Sequence, residues 1–274
     1  ASDTGQSFKV AAEAATELAR QGLGVEETLK RTKDALILAR LAGMDAADAV
    51  NALTAALNTF TKVGLDSTTI INKLANVDAA FAVSSEDLAK ALGRVGSAAV
   101  SAGVDLDQLL AIVTTAQQKT ARGGAVIGNS FKTIFTRIGR TDVQKKLSDI
   151  GVATRDMATG AMLPATRVLE NLSKKFQTLG KSQQNQIAES VAGVFQVNIL
   201  RAALGDLSSK YGVYNRALRE SASATNEAYL KNEQLNQTLD ALVNKTLANL
   251  TKAGAAIGGA TLKPAIENVL SLVN

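Results

Sequence analysis

Two side chains that carry much of protein chemistry, cysteine and histidine, are absent from the 274 residues. Their absence excludes disulfides, thiolate nucleophiles, zinc sites of the usual kind and catalysis that uses histidine as a base. No pair of carboxylates stands out at the spacing that general acid–base chemistry needs. We therefore predict a protein that is not an enzyme and that holds no metal ion and no cofactor.

Proline, aromatic residues and long apolar runs are also scarce. Pro164 and Pro264 are the only prolines, so helices meet few forced breaks, and aromatic residues make up 4% of the chain. Hydrophobic residues make up 46%, mostly small or aliphatic, which favours closely packed helices. No run of 18 apolar residues marks a transmembrane span, and no signal peptide is visible. Since Ala1 stands where an initiator methionine would, we expect a fragment or a processed chain.

One kind of corner recurs in the first half of the sequence, at Gly43–Asp45, Gly64–Asp66 and Gly103–Asp105. In each, glycine suits the left-handed position that closes one helix, and aspartate suits the cap of the next helix. A fourth corner lacks the glycine and pairs Ser84 with Asp87 as a capping box. The corners and the apolar periodicity predict antiparallel neighbouring helices at 8–21, 26–42, 45–62, 66–81, 85–102 and 105–119.

The second half is predicted to contain one interruption and then further helices. Gly151 and Gly160 bracket a stretch without helical period, which predicts a short hairpin or irregular insertion near 150–163. Further helices are predicted at 164–178, 183–204 and 255–273, with a long polar helical pattern over 206–252. The fold class is therefore all-α, a multi-helix bundle with longer helices toward the C-terminus.

The predicted domain organisation has two parts. Residues 1–204 form a compact helical core. Residues 205–274 form a long polar helix and a C-terminal helix that pack on the core or on other copies of the chain.

A glycine cluster opens the stretch TARGGAVIGNSFKTIFTRIGR, which starts at Thr120. Gly123 and Gly128 have the spacing that begins a nucleotide-binding loop, but Asn129 stands where that loop needs lysine, and no strand precedes it. Gly124 and Gly128, four residues apart, instead predict a small-residue face at which two helices approach closely. Together with Gly123 they are interpreted as a structural joint.

A basic run overlaps that joint and carries seven Lys or Arg residues against a single Asp, an excess that covers the whole net charge of +5. Such a run is typical of a solvated face, or of a surface that faces a partner or DNA. Phe131 and Phe135 fall four residues apart on the apolar face, as core residues rather than a base-stacking platform. The basic residues are Lys119, Arg122, Lys132, Arg137, Arg140, Lys145 and Lys146.

One segment, AESVAGVFQV at Ala188–Val197, has a faint likeness to lytic transglycosylases. Those enzymes place an acidic Glu-Ser and a second motif far apart across a cleft, whereas Glu189 here lies on the same helix as the rest of the segment. We interpret Glu189 as a partly exposed glutamate on an amphipathic helix.

The order of these features resembles the core domain of phage tail tape measure proteins over most of the chain. Each segment is weakly specific alone, and their order and spacing are much more so. The segments are FKVAAEAATELARQGLGVEETLK, LARLAGMDAADAVNALTAAL, VSSEDLAKALGRVGSAAVSAGVDLDQLLAIV, ARGGAVIGNSFKTIFTRI, LSDIGVATRDMATGAMLPATRVLENL, IAESVAGVFQVNILRAAL and TLANLTKAGAAIGGATLKPAIENVLSLV.

The resemblance implies a structural virion component that helps set tail length and anchors at the tail tip or baseplate during assembly and genome delivery. Its implied partners are other copies of itself, the tail tube protein, tail tip or baseplate hub proteins and tail assembly chaperones. DNA and the host membrane are further candidate partners. The implied location is the virion tail, and the host cytoplasm during assembly.

The repeated corners indicate which part of a tape measure protein this chain resembles. A ruler needs long continuous helix, at about 1.5 Å per residue, often as a coiled coil, whereas this chain is predicted to fold back repeatedly. A docking or anchoring module fits better. A membrane-active helical protein that assists genome ejection, and a cell-wall enzyme using Glu189, remain as alternatives.

Overall fold

The computed structural model describes residue 4, residues 6–60 and 64–238, and the short remainder 243, 245–249 and 252. The described residues contain no named strand, and the prediction of an all-α fold is confirmed. The helices are α1 Phe8–Ala19, α2 Val25–Ala42, α3 Ala46–Phe60, α4 Ser67–Ala80, α5 Ser85–Ser101, α6 Leu106–Thr120, α7 Gly124–Ile138, α8 Thr141–Asp149, α9 Ala165–Phe176, α10 Lys181–Ala192, α11 Val197–Leu207, α12 Val213–Ser223 and α13 Glu227–Asn236. A 3₁₀ turn, Val194–Gln196, joins α10 to α11.

Two of the predicted helices are divided. The helix predicted over 183–204 is broken at Gly193, whose φ of 71° and ψ of 167° leave the helical region. The long pattern predicted from Asp206 begins instead with two short helices, because Ala224 after α12 is extended. The helix predicted over 255–273 lies outside the described residues.

The insertion predicted near 150–163 is a hairpin-like loop with a single antiparallel bridge, between Arg155 and Met162. Its turn is built on Asp156, whose carboxylate accepts the Thr159 N–H at 2.8 Å and the Ala158 N–H at 3.0 Å. These hydrogen bonds, with that from Thr159 first, lower the pKa of Asp156. An ionised side chain at the surface therefore holds the turn of this loop.

The predicted corners occupy helix ends. Gly43 and Gly103 close α2 and α5 with φ of 66° and 70°, and Gly64 has φ of 71° before α4. Glycine adopts this left-handed conformation without the steric cost that a Cβ imposes. The Met44 N–H donates to the Ala39 carbonyl at 3.0 Å, as the Gly43 N–H also does, so this carbonyl in the last turn of α2 accepts two hydrogen bonds from the corner.

Aspartates follow these glycines and precede the next helices. Asp66 accepts the Thr69 N–H and Asp105 accepts the Gln108 N–H, both at 2.8 Å, which caps α4 and α6. Asp45 lies directly before α3, where its carbonyl accepts the first helical hydrogen bond. Each corner thus ends one helix and starts the next within a few residues.

The described residues divide into two compact units, Ala1–Asn51 with Asn226–Asn274, and Ala52–Thr225. In the first, α1 and α13 both pack on α2, where Arg40 donates to the side-chain oxygens of Asn232 and Asn236. A core boundary at residue 204 stays a prediction.

In the second unit, α5 and α7 form the most extensive helix pair. They run in parallel, since Gly124 faces Asp87 and Gly128 faces Ala91. A Cβ on Gly124 would lie 1.8 Å from the Asp87 carbonyl oxygen, and one on Gly128 2.8 Å from that of Ala91. The backbones touch at both points, so larger residues cannot occupy them without separating the helices.

The chain turns between α6 and α7 at Ala121 rather than at the neighbouring glycines. Ala121 adopts φ of 52°, the only positive φ of a non-glycine residue in the part of the chain that the structure describes. Gly123 has ordinary extended φ and ψ and stands at the N-cap of α7 without a side chain to cap it. Gly123 therefore stands at the start of α7, and Gly124 and Gly128 form the contact between α7 and α5.

Asp87 supplies the missing cap. Its Oδ1 accepts the Gly124 N–H at 2.6 Å, and its Oδ2 accepts a hydrogen bond from the Gln117 side chain. The capping box predicted for α5 is therefore only half formed: Ser84 Oγ accepts the Asp87 N–H at 3.1 Å, but the carboxylate is used on α7. A carboxylate at a helix N-terminus satisfies a free N–H and offsets the helix dipole.

Two other helices are capped from a neighbour in the same way. Asp78 of α4 accepts the Ser85 N–H at 2.9 Å, at the start of α5. Asp206 of α11, which is buried, accepts the Tyr214 N–H at 2.8 Å, at the start of α12. In each case a carboxylate on one helix binds the first turn of a neighbouring helix, in addition to the apolar packing of the bundle.

A buried cation completes the polar framework of this unit. Lys73 of α4 is 8% exposed and donates to Asp107 at 2.7 Å and to the Ser221 carbonyl at 2.9 Å. Asn76, one turn later, donates to the Glu220 carbonyl at 2.7 Å. These donors satisfy the last carbonyls of α12, where a positive charge also favours the helix dipole.

We expect Gly124→Ala to lower the free energy of unfolding by about 3 kcal/mol, because the new Cβ meets a backbone oxygen that cannot rotate away. Gly93→Ala is the matched control, since nothing lies within 4 Å of its Cβ position on α5. That control should raise stability by about 0.5–1 kcal/mol. Urea unfolding followed by circular dichroism measures both, and equal effects would contradict the crossing geometry.

We expect Lys73→Met to cost about 3–5 kcal/mol, because it leaves a half-buried carboxylate and a buried carbonyl without their cation. Lys90→Met removes an exposed ion pair with Glu86 one turn away, and should cost about 0.5 kcal/mol or less. The same urea titrations compare the two variants. A small effect at Lys73 would mean that water replaces the ammonium group there.

Candidate functional site

The basic run is dispersed by the fold, and several of its members serve other helices. Arg137 of α7 donates from Nε to the Ser190 carbonyl at 2.9 Å and from Nη2 to the Glu189 carbonyl at 3.3 Å. Lys146 of α8 donates to Ser190 Oγ at 3.1 Å. Both cations therefore lie at the C-terminal end of α10, where the helix dipole favours positive charge.

The other basic residues lie apart from that end. Lys119 is 3.9 Å from a carboxylate oxygen of Asp206, and Arg140 is 3.2 Å from one of Asp142. Arg122, Lys132 and Lys145 are exposed. The structure brings together Arg137 and Lys146, and the run as a partner- or DNA-facing surface stays a prediction.

Phe131 and Phe135 are buried and stack on each other, with ring centroids 5.6 Å apart. Stacked inside the bundle, neither ring is available to a nucleic-acid base. This agrees with their interpretation as core residues.

The corner after α10 is the feature that the sequence interpretation missed. Gly193 closes α10 by donating its N–H to the Glu189 carbonyl at 2.8 Å, and α10 and the segment Val194–Leu207 meet at 109°. Val194 is then 73% exposed and Phe195 92% exposed. A glycine inside the apolar run VAGVFQV was the signal for this break, since glycine is costly in a helix interior.

A groove of about 620 Å³ lies beside this corner, between α7, α8 and α10. Its apolar residues include Ile150, Ile187 and Val194. Its charged residues are Arg137, Lys146, Asp149 and Glu189. The groove thus combines an apolar surface with two charges of each sign.

Glu189 and Asp149 place two carboxylates on one groove, which the sequence did not indicate. Both side chains are exposed. A general acid that works near neutral pH needs an environment that holds its proton, usually burial or a close like charge. Exposure gives neither Asp149 nor Glu189 the burial that such an acid uses.

No group of three or more acidic residues in the described ranges is arranged to hold a metal ion. Among the same residues, no single helix is long and apolar enough to cross a membrane. The pair Lys181–Ala192 and Val194–Leu207 meets the length and composition criteria only together, across its bend.

We expect Arg137→Ala to lower the free energy of unfolding by about 1–3 kcal/mol, because two carbonyls at the end of α10 lose a charged donor. Arg140→Ala removes only an exposed ion pair with Asp142, two residues away in the sequence. It should change the free energy of unfolding by about 0–1 kcal/mol. Hydrogen exchange of the amides near the end of α10 provides a local readout. Equal protection in the two variants would contradict the capping role of Arg137.

Sequence comparison relates this chain to phage tail proteins. The model of the family described as "Phage-related minor tail protein" matches residues 1–193. The "Tape measure protein" of Pneumococcus phage Dp-1 is 22% identical over 272 residues, which cover 98% of this chain and 23% of that protein. This chain thus spans less than a quarter of the length of that relative. No solved structure matches it.

The family match covers well over half of the chain, and the relative named as a tape measure spans nearly all of it. Both agree with the resemblance to phage tail tape measure proteins that the sequence segments carry. The chain belongs to the phage-related minor tail protein family, and is a tape-measure-like structural protein of the phage tail.

Proposed function

We propose that this chain is a folded docking module of a tail tape measure protein. In this role it helps set tail length by anchoring the tape measure at the tail tip or baseplate during assembly and genome delivery. The observation that carries the proposal is the repeated folding back of short helices at the glycine and aspartate corners.

Helix length separates a docking module from a ruler. The longest of the helices α1–α13 is α2, with 18 residues, which spans about 27 Å at 1.5 Å per residue. A ruler converts residues into length only while the helix continues, and here each helix ends within a few turns. In the Dp-1 relative, the 77% of the protein beyond the matched part leaves ample length for a ruler elsewhere.

The partners that follow from this role are other tail components: further copies of the chain, the tail tube protein, tail tip or baseplate hub proteins and tail assembly chaperones. Exposed basic residues such as Arg122, Lys132 and Lys145 offer contacts to DNA or to acidic tail proteins. We propose no catalytic activity for the chain.

A membrane role in genome ejection is the second candidate, and the bent pair of α10 and α11 is the observation that favours it. In the folded chain the apolar residues of this pair, such as Val191 and Leu200, are buried, so insertion would require the bundle to open. Dye release from liposomes by the folded chain would favour this candidate over docking.

Overproduction of the chain during infection tests the docking role. We expect a free docking module to compete with the full-length tape measure for the tail tip, so that fewer infectious particles form while completed tails keep their normal length. Electron microscopy measures tail length, and affinity purification of the chain identifies tail-tip proteins bound to it. The phage used is one whose tape measure carries this sequence.

Gly124→Leu is the matched control for this experiment. Its side chain cannot fit against the Asp87 backbone, so the chain loses the α5–α7 contact while its charge is unchanged. We expect this variant to leave the yield of infectious particles normal. Normal yield with the wild-type chain, and no tail-tip protein bound to it, would overturn the docking role, and altered tail length would favour a ruler.

A further inference from the structure

We propose that the corner at residues 193–196, with the groove beside it, is the surface on which a second copy of this chain docks. The proposed function includes other copies as partners without saying where they bind. This inference deepens that part of it by naming the surface. It is tested on the purified chain alone, so it can fail while the docking role at the tail tip stands.

The exposure of the corner is imposed by the fold. Gly193 has a backbone conformation that other residues avoid, and Arg137 and Lys146 hold the end of α10 through Ser190. The 3₁₀ turn that follows then presents Val194 and Phe195 to solvent. A side chain on a backbone that is already held in place does not have to order that backbone on binding, which favours affinity.

Phe195 has the properties of an interface anchor. It is 92% exposed beside an exposed valine, whereas Phe131 and Phe135 are buried. Contiguous exposed apolar residues mark interaction sites, and aromatic side chains that enter a pocket contribute much of the binding energy at interfaces. The adjoining groove, about 620 Å³ in volume with Ile150 and Ile187 among its residues, is a pocket that can receive such a ring.

The charges around the groove favour a second copy as its occupant. Arg137, Lys146, Asp149 and Glu189 all line it, so its charged residues balance in sign. A nucleic acid or a strongly acidic protein would meet two carboxylates there. A second copy related by a two-fold axis presents the same four charges in the opposite order. Each cation of one copy can then lie opposite a carboxylate of the other copy.

Self-association through the exposed basic residues outside the groove is disfavoured. The net charge is +5, and these residues include Arg122, Lys132 and Lys145. Two copies that met through exposed basic residues would repel each other. A neutral groove beside an apolar anchor avoids that repulsion, and the two-fold arrangement places each Phe195 in the groove of the other copy.

Sedimentation velocity over a concentration series tests the proposal. We expect a monomer–dimer equilibrium, and we expect Phe195→Ser to raise the dimer dissociation constant at least about tenfold, as for loss of an interface anchor. Tyr211→Ser is the matched control, because Tyr211 is an exposed aromatic at 79% in the same unit. It should leave the dissociation constant within about twofold, as an aromatic outside the interface does. Circular dichroism checks that both variants fold.

The absence of cysteine allows a direct test of the pairing. Val194→Cys in one copy and Gln183→Cys in another keep both Phe195 anchors and, when mixed and oxidised, should give a covalent heterodimer, because Val194 adjoins the anchor and Gln183 lines the groove. Tyr211→Cys mixed with Gln183→Cys should not. A chain that is monomeric at every soluble concentration, a dimer unaffected by Phe195→Ser, or equal cross-linking in both mixtures would overturn the proposal.

Discussion

The second unit of the structure depends on the contact between α5 and α7, where a backbone meets a backbone and a carboxylate meets a helix end. Gly124 contributes twice there, because its missing side chain lets the helices touch and its N–H donates to the Asp87 carboxylate. With α7 fixed in this way, Arg137 reaches the end of α10. The position of the exposed corner and its groove therefore follows from the glycine contact.

Polar side chains in this bundle form hydrogen bonds from one helix to another. Three aspartates cap the starts of α5, α7 and α12, and Lys73 and Arg137 donate to carbonyls at the ends of α12 and α10. An alanine-rich bundle has few large side chains to fix the rotation of one helix on another. Directional hydrogen bonds at helix ends supply that specificity, since a donor and an acceptor must meet within narrow limits of distance and angle.

The fold class and most helix limits could be predicted from the sequence because they depend on local signals. Apolar periodicity and the caps at Asp66 and Asp105 act within one or two turns of chain. The partners of Asp87 and Arg137 could not be predicted, since they lie 37 and 53 residues away in the sequence. The corner at Gly193 was missed because one glycine in a strong helical pattern is often tolerated.

The three aspartates that cap a neighbouring helix share one further property, which concerns the order of synthesis. Asp78, Asp87 and Asp206 each precede the helix that they cap, and the N–H groups that they bind lie 7, 37 and 8 residues later. When each of those helices leaves the ribosome, the carboxylate that stabilises its first turn has already been made. The first turns of these three helices can therefore be capped while translation continues, without waiting for an acceptor from a later part of the chain.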